Sequence, residues 1–162
     1  MPTTLILLGS NQGDRMQSLT EARRQLSARA GRIEKESAIY ETAAWGLEEQ
    51  PAFLNQVLQL ETTLQPAALL TEINRIEKFM GRVRQVKWAA RVIDIDILYF
   101  DDLVIHTPRL VLPHPHLQDR RFTLLPLVEI APDWLHPVFH KTNRHLLAEC
   151  PDPLEVRKWV NG

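Results

Sequence analysis

The stretch Arg91-Val-Ile-Asp-Ile-Asp-Ile-Leu-Tyr-Phe100 constrains the fold of this chain more than any other. Its β-branched and aromatic residues, ended by Asp101-Asp102, predict a strand. Side chains alternate along a strand, so Ile93, Ile95 and Ile97 face one way and Asp94 and Asp96 the other. The two aspartate Cα atoms then stand roughly 6.5 Å apart, at about 3.3 Å rise per residue. Carboxylates that close on an apolar strand repel one another and are costly to desolvate unless a cation sits between them. Hard divalent cations such as Mg2+ are held by one or two carboxylates plus substrate phosphates, which suits this pair. Two solvated aspartates on a half-exposed strand are the plainer reading of a lone D-x-D, so the flanking residues have to decide.

Those flanking residues are basic. From Lys78 to Ile93 there is no acid, but there are Lys78, Arg82, Arg84, Lys87 and Arg91. A basic loop feeding a paired-carboxylate strand suits an anion held between arginines and a metal, the arrangement of phosphoryl-transfer sites. Arginine is the better clamp because its fork binds two phosphate oxygens at once. Taken alone, the basic run is equally a solvated loop; Trp88 within it is harder to explain that way and suits a lid. A second basic cluster runs from Arg109 through His114 and His116 to Arg120-Arg121-Phe122. Prolines flank His114 and no Cys or His cluster completes a tetrahedral set, so zinc is disfavoured. His114 reads either as a phosphate hydrogen-bond donor or as a plain loop histidine. Phe53 and Asn55 share a strand face, where a ring and an amide can stack on a flat heterocycle and read its polar edge, though taken alone an ordinary edge strand is the plainer reading. Gly9-Ser-Asn11 lacks the Gly-Lys-Ser/Thr of a P-loop and reads by itself as a strand-to-helix turn.

The rest of the chain frames these segments. Thr3 to Leu8 predicts a buried strand, and Met16, Leu19, Arg23, Leu26 and Ala30 a helix opened near Asp14 and stopped at Gly31. Arg32 to Thr42 and Phe53 to Thr63 predict strands, with a loop between them. Pro66 opens a second helix with the apolar stripe Leu69, Ile73, Ile76 and Met80, stopped at Gly81. The order β-α-β-β-α-β is that of ferredoxin-like folds. The expected class is therefore α+β, an antiparallel sheet with helices on both faces and a less regular C-terminal extension. Short helices are expected at Arg121 to Ile130, despite Pro126, and at Arg144 to Glu149. At 162 residues one domain, 1–162, is expected. A net charge of −1 gives no electrostatic case for a nucleic-acid or membrane partner. The single Cys150 excludes an internal disulfide, and Leu5 to Leu8 is too short for a membrane span, so a cytoplasmic monomer is expected.

Taken together, these residues resemble the 6-hydroxymethyl-7,8-dihydropterin pyrophosphokinases of folate biosynthesis. The family signature, a basic residue, a small residue, Arg and then D-x-D, stands here as Lys87-Trp-Ala-Ala-Arg91-Val-Ile-Asp94-Ile-Asp96. Gly9-Ser-Asn11, Tyr40-Glu-Thr42, Gln50-Pro-x-Phe-Leu-Asn55, Leu112-Pro-His114-Pro, Arg120-Arg-Phe122 and Pro126-Leu-x-Glu-Ile-Ala-Pro132 agree in order and spacing, from about Thr3 to Pro132. The resemblance implies transfer of the β,γ-diphosphate of ATP to the hydroxymethyl group of 6-hydroxymethyl-7,8-dihydropterin, releasing AMP. It implies two Mg2+ ions on Asp94 and Asp96, with Arg82 and Arg91 acting on the transferring phosphates. ATP would be held by Glu77, Arg84, Ile97, Arg109, His114 and Arg120 as well. The pterin would lie between Phe53 and Phe122, with Thr42, Ala43, Trp45, Asn55 and Asp94 around it. Loops near 10–14, 43–52 and 82–91, the last carrying Trp88, would cover the site. Many relatives have Pro at Ala43 or Ala44 and at Ala90, and some a basic residue near Gln85, differences that bear on loop dynamics more than on chemistry.

Rival readings remain open to the sequence. A D-x-D nucleotide-sugar transferase would need a larger domain than 162 residues usually provide. A two-metal nuclease would want a wider basic face. A non-catalytic nucleotide- or pterin-binding module would keep the ligands and lack turnover.

Overall fold

The computed structural model describes residues 1–42, 52–82 and 92–160, with Arg82 described for its backbone only. The chain opens with β1 (Thr3–Ser10), α1 (Arg15–Arg29), β2 (Arg32–Glu36) and β3 (Tyr40–Thr42). It continues with β4 (Phe53–Glu61), α2 (Pro66–Arg82) and β5 (Asp94–Phe100). A small antiparallel hairpin of β6 (Ile105–His106) and β7 (Val111–Leu112) follows. Then come α3 (Arg121–Ile130), α4 (Asn143–Glu149) and β8 (Val156–Lys158).

The strands of the main sheet run β5-β1-β4-β3-β8, with β2 also paired to β4, and every described pairing is antiparallel. Helices cover both of its faces, as expected. Ile6 and Leu8 pack with Leu19, Leu26, Ile73 and Ile76 of α1 and α2. Leu5 and Leu7 pack on the opposite face with Leu124 and Leu127 of α3 and Leu146 of α4. A strand buried on both faces must be apolar at every position, which is why Leu5 to Leu8 reads as a continuous run rather than an alternation. Burial of such side chains contributes about 25 cal/mol per Å2 of apolar surface, so this central strand anchors both layers.

Several boundaries differ from expectation, each for a local reason. Arg32 to Thr42 is two strands rather than one. At the break, Ser37 bonds Val57 through its own N–H (2.9 Å) and accepts the Val57 N–H on Oγ (3.0 Å). Its carbonyl also takes the Gln56 side-chain amide (2.7 Å), so the kink is pinned rather than frayed. β4 ends at Glu61, because the Thr62 N–H turns to the Pro2 carbonyl (3.0 Å) and its hydroxyl to the Ala30 carbonyl (2.6 Å). Gly81 does not stop α2, which runs on to Arg82. A glycine ends a helix by adopting positive φ; among the described glycines only Gly13 does so, at 59°. Asp14 caps α1 as its position suggested, its carboxylate accepting the Gln17 N–H at 3.1 Å.

Along β5 the expected alternation holds through the aspartates and then breaks. Ile93, Ile95 and Ile97 pack under α1 and α2, whereas Leu98 and Tyr99 both lie in the α3–α4 layer and Phe100 returns to the first. The register against β1 slips between Leu5 and Ile6, which is how two successive residues share one face.

Candidate active site

The site is assembled by register. Opposed residues of an antiparallel ladder project to the same face. Asp94 lies opposite Gly9, Gly9 opposite Asn55, and Asp96 opposite Leu7. One strand further, Thr42 lies opposite Phe53. The sheet therefore presents both carboxylates, the Asn55 amide, the Phe53 ring and the Thr42 hydroxyl to the face that α3 covers. A cavity of about 320 Å3 opens there, lined by all five of these residues. Arg120 and Phe122, at the start of α3, close its other side. From β5 to β3 is three inter-strand steps, roughly 14 Å at about 4.8 Å each. That length accommodates a flat fused-ring molecule with one end at the carboxylates.

Glycine at position 9 makes room for this arrangement. A Cβ there would sit 2.7 Å from Asn55 Nδ2, well inside contact distance. With only hydrogen at that position, the Asn55 amide lies across β1 and its Nδ2 donates to the Leu8 carbonyl at 3.2 Å. Among the described residues, the buried Asn55 Oδ1 and Thr42 Oγ1 then have no hydrogen-bond partner, their residues being only 4% and 3% exposed. Buried polar atoms are ordinarily satisfied, because an orphan costs roughly 1–3 kcal/mol. Both oxygens belong to residues that line the one cavity, where each can accept a hydrogen bond from a ligand.

His114 is built as a neutral donor. Its N–H bonds the Leu98 carbonyl at 2.9 Å, following a cis Leu112–Pro113 peptide. Burial, with Arg120 and His116 nearby, depresses its pKa to about 4. Its Nδ1 accepts the His116 N–H at 3.1 Å, so the proton of the neutral ring resides on Nε2. The Arg120 guanidinium lies 5.7 Å from the centre of the Phe122 ring.

The other expected ligand residues divide. A Glu77 carboxylate oxygen accepts the Ile95 N–H at 2.9 Å, so this side chain ties α2 to β5. Ile97 is buried in the layer under α1 and α2, so its side chain is core. Arg109 is exposed and lines a separate groove with Pro66, Leu70 and Leu110, outside the main cavity. Ala43, Trp45, Arg84, Trp88, Arg91 and the side chain of Arg82 lie outside the described residues, as do most of the loops expected to cover the site. Leu7 and Leu154 also line the cavity and were not anticipated. For Leu154 the sequence offers only the brief alternation Leu154-Glu-Val156-Arg after Pro153, too short to mark a strand.

The family model described as 7,8-dihydro-6-hydroxymethylpterin-pyrophosphokinase matches residues 5–132. The 2-amino-4-hydroxy-6-hydroxymethyldihydropteridine pyrophosphokinase of Aquifex aeolicus is 46% identical over 141 residues, covering 87% of this chain and 88% of the relative. Its namesake in Methylorubrum extorquens is 41% identical over 152 residues, covering 93% and 94%. The crystal structure of Plasmodium falciparum HPPK-DHPS wild type with SDX-DHP superimposes with a TM-score of 0.72 at 19% identity, a likeness of fold. That match covers 92% of this chain and 43% of the HPPK-DHPS chain. The chain belongs to the 7,8-dihydro-6-hydroxymethylpterin-pyrophosphokinase family, and it is an ATP-dependent diphosphotransferase of folate biosynthesis that carries the β,γ-diphosphate of ATP to the hydroxymethyl group of 6-hydroxymethyl-7,8-dihydropterin.

Proposed function

We propose that this transfer occurs in the cavity between β5 and α3, with the pterin at the Asn55–Thr42 end and the phosphates at the aspartate end. The observation that carries the placement is the pair of orphaned buried oxygens sharing one cavity with two carboxylates. Asn55 Nδ2 is engaged by Leu8, so Oδ1 is an acceptor and reads an N–H or amino group on the ring edge. Phe53 and Phe122 line the same cavity and flank the ring by stacking.

Asp94 and Asp96 fit a divalent cation, being hard oxygen donors on one strand face that both line the cavity. In our reading these carboxylates would hold two Mg2+ ions arriving with ATP, whose charge would offset that of the phosphates and lower the pKa of the attacking hydroxyl. Arg120 lines the same cavity as the aspartates and is assigned to phosphate oxygens. His114 donates from Nε2 without adding charge. On their sequence positions, Arg82 and Arg91 are assigned to the transferring group, Arg84 to ATP and Trp88 to a lid that excludes water. The hydroxymethyl oxygen bonds to the β-phosphorus as the bridge to the α-phosphate breaks. AMP leaves with that bridging oxygen, and the hydroxyl proton passes to solvent. We place the protein in the cytosol, in keeping with its lone cysteine, Cys150.

The test is product identity. With ATP, Mg2+ and 6-hydroxymethyl-7,8-dihydropterin, chromatography should resolve AMP and pterin diphosphate in equal amounts. ADP as the product would refute diphosphate transfer, and bound ligands without turnover would leave only a binding module.

A further inference from the structure

The chain beyond the family match returns to the cavity. β8 adds to the edge of the sheet beside β3, with Val156 opposite Thr42. Opposed residues share a face, so Val156 lies on the cavity side, and alternation puts Leu154 on that side too. Leu154 stands beyond the last β3–β8 pair and lines the cavity together with Phe53, Phe122 and Asn55.

One carboxylate secures this placement. Asp152 Oδ1 accepts the Leu154 N–H at 3.0 Å, and Oδ2 accepts the N–H of Arg121, the first residue of α3, at 3.1 Å. The N-cap residue of α3, Arg120, makes no side-chain cap of its own. A helix N-terminus has unsatisfied N–H groups and favours negative charge, so Asp152 supplies the missing cap from across the fold. Pro151, Asp152 and Pro153 line a small groove with Arg120 and Phe122, and the prolines restrict the segment to extended conformations. The same carboxylate thus ties Leu154 to the helix turn that carries Phe122.

We propose that Leu154 is a specificity-determining residue for the heterocycle, closing the outer wall of its slot, and that Asp152 is the positioning residue that sets the wall's distance from Phe122. The inference rests on the pterin occupying this cavity, as argued above. A branched aliphatic wall contacts an unsubstituted ring edge and excludes one enlarged by an alkyl group.

The experiment is steady-state kinetics of wild type, Leu154→Ala, Leu154→Met, Leu154→Trp and Asp152→Ala. Each is assayed with 6-hydroxymethyl-7,8-dihydropterin and with an analogue of it bearing an added alkyl group on its ring, and AMP is measured. Leu154→Ala should raise KM for dihydropterin roughly tenfold, the range for removing apolar contact in a pocket. The effect should fall on this KM more than on kcat or on the KM for ATP. Preference should shift toward the alkylated analogue by about the same factor. Leu154→Met should restore most of the wild-type behaviour, and Asp152→Ala should shift both quantities in the same direction as Leu154→Ala. Leu154→Trp, which fills the slot, should raise KM for both pterins. Wild-type KM and unchanged discrimination in Leu154→Ala would overturn the wall, as would equal changes in the KM values for pterin and ATP. Unchanged KM for the pterin in Phe53→Ala and Asn55→Ala would instead overturn the cavity assignment, and this inference with it.

Discussion

A single methyl group at position 9 should disable pterin recognition without touching an acid, a base or a ring. A Cβ on Gly9 would stand 2.7 Å from Asn55 Nδ2, whereas ordinary contact begins near 3.4 Å. Because the strand backbone at both positions is held by ladder pairing, the amide is the part that must yield, by the difference of about 0.7 Å. Its bond to the Leu8 carbonyl is already 3.2 Å long, and a shift of that size takes it past any useful hydrogen-bond length. Losing that bond costs the fold about 1 kcal/mol. Oδ1 moves with the same amide group, so its partner on the ligand is lost as well. That is worth roughly 1–3 kcal/mol of binding, about 5- to 150-fold in Kd. Calorimetric titration of Gly9→Ala with dihydropterin, without nucleotide, measures the affinity, and a urea titration measures the stability. The decisive comparison is a double-mutant cycle with Asn55→Ala, where the new methyl meets little. Most of the Gly9→Ala binding penalty should vanish in that background. An undiminished penalty there, or wild-type affinity in Gly9→Ala itself, would refute the reasoning.

Other perturbations address the rest of the site and fold. Asp96→Asn should lower turnover roughly 100-fold or more while pterin affinity without nucleotide stays near wild type, since the carboxylate is assigned to metal and phosphate; near-normal turnover would remove the metal assignment. Gly81→Ala should stabilise the protein by about 0.4–1 kcal/mol in urea unfolding, because Gly81 sits within α2 with ordinary φ and open space where a Cβ would go. A loss of stability would contradict that helical placement. His114 has a folded pKa of about 4 against an ordinary 6.5, so the unfolded chain takes up its proton first as pH falls. Its contribution is complete above about pH 6.5 and is lost between there and about 4. Thermal midpoints should therefore fall more steeply for wild type than for His114→Gln over that window, and parallel curves would exclude the effect. His136, whose pKa burial also lowers, adds acid sensitivity of the same sign and should do so equally in both proteins.

Local patterns carried most of the fold. The apolar run of β1, the Asp14 cap, the α2 stripe and the alternation of β5 each involve neighbours within a few residues, and each was legible without tertiary knowledge. The split at Ser37 was not, because it depends on Val57 and Gln56, some twenty residues away. Gly81 misled for the opposite reason: glycine permits a left-handed stop but does not impose one. β8 escaped notice because a strand of three residues has too little period to register, and it exists only because the edge of β3 is there to pair with it.

The site divides along the same line. Residue chemistry alone determined that Asp94 and Asp96 share a face and that Phe53 and Asn55 do, and it named phosphates, a hard cation and a flat ring as the ligands to test. Strand alternation and side-chain type suffice for that. Only the tertiary structure decided that these two faces are the same face, because that depends on β1 lying between β4 and β5 with Gly9 opposite both Asn55 and Asp94. The fold likewise set Ile97 in the core and Glu77 against the Ile95 N–H. It also carried Leu154 back to a cavity first marked by residues more than fifty positions earlier. Contacts of that kind are products of packing and register, quantities that no window of sequence contains.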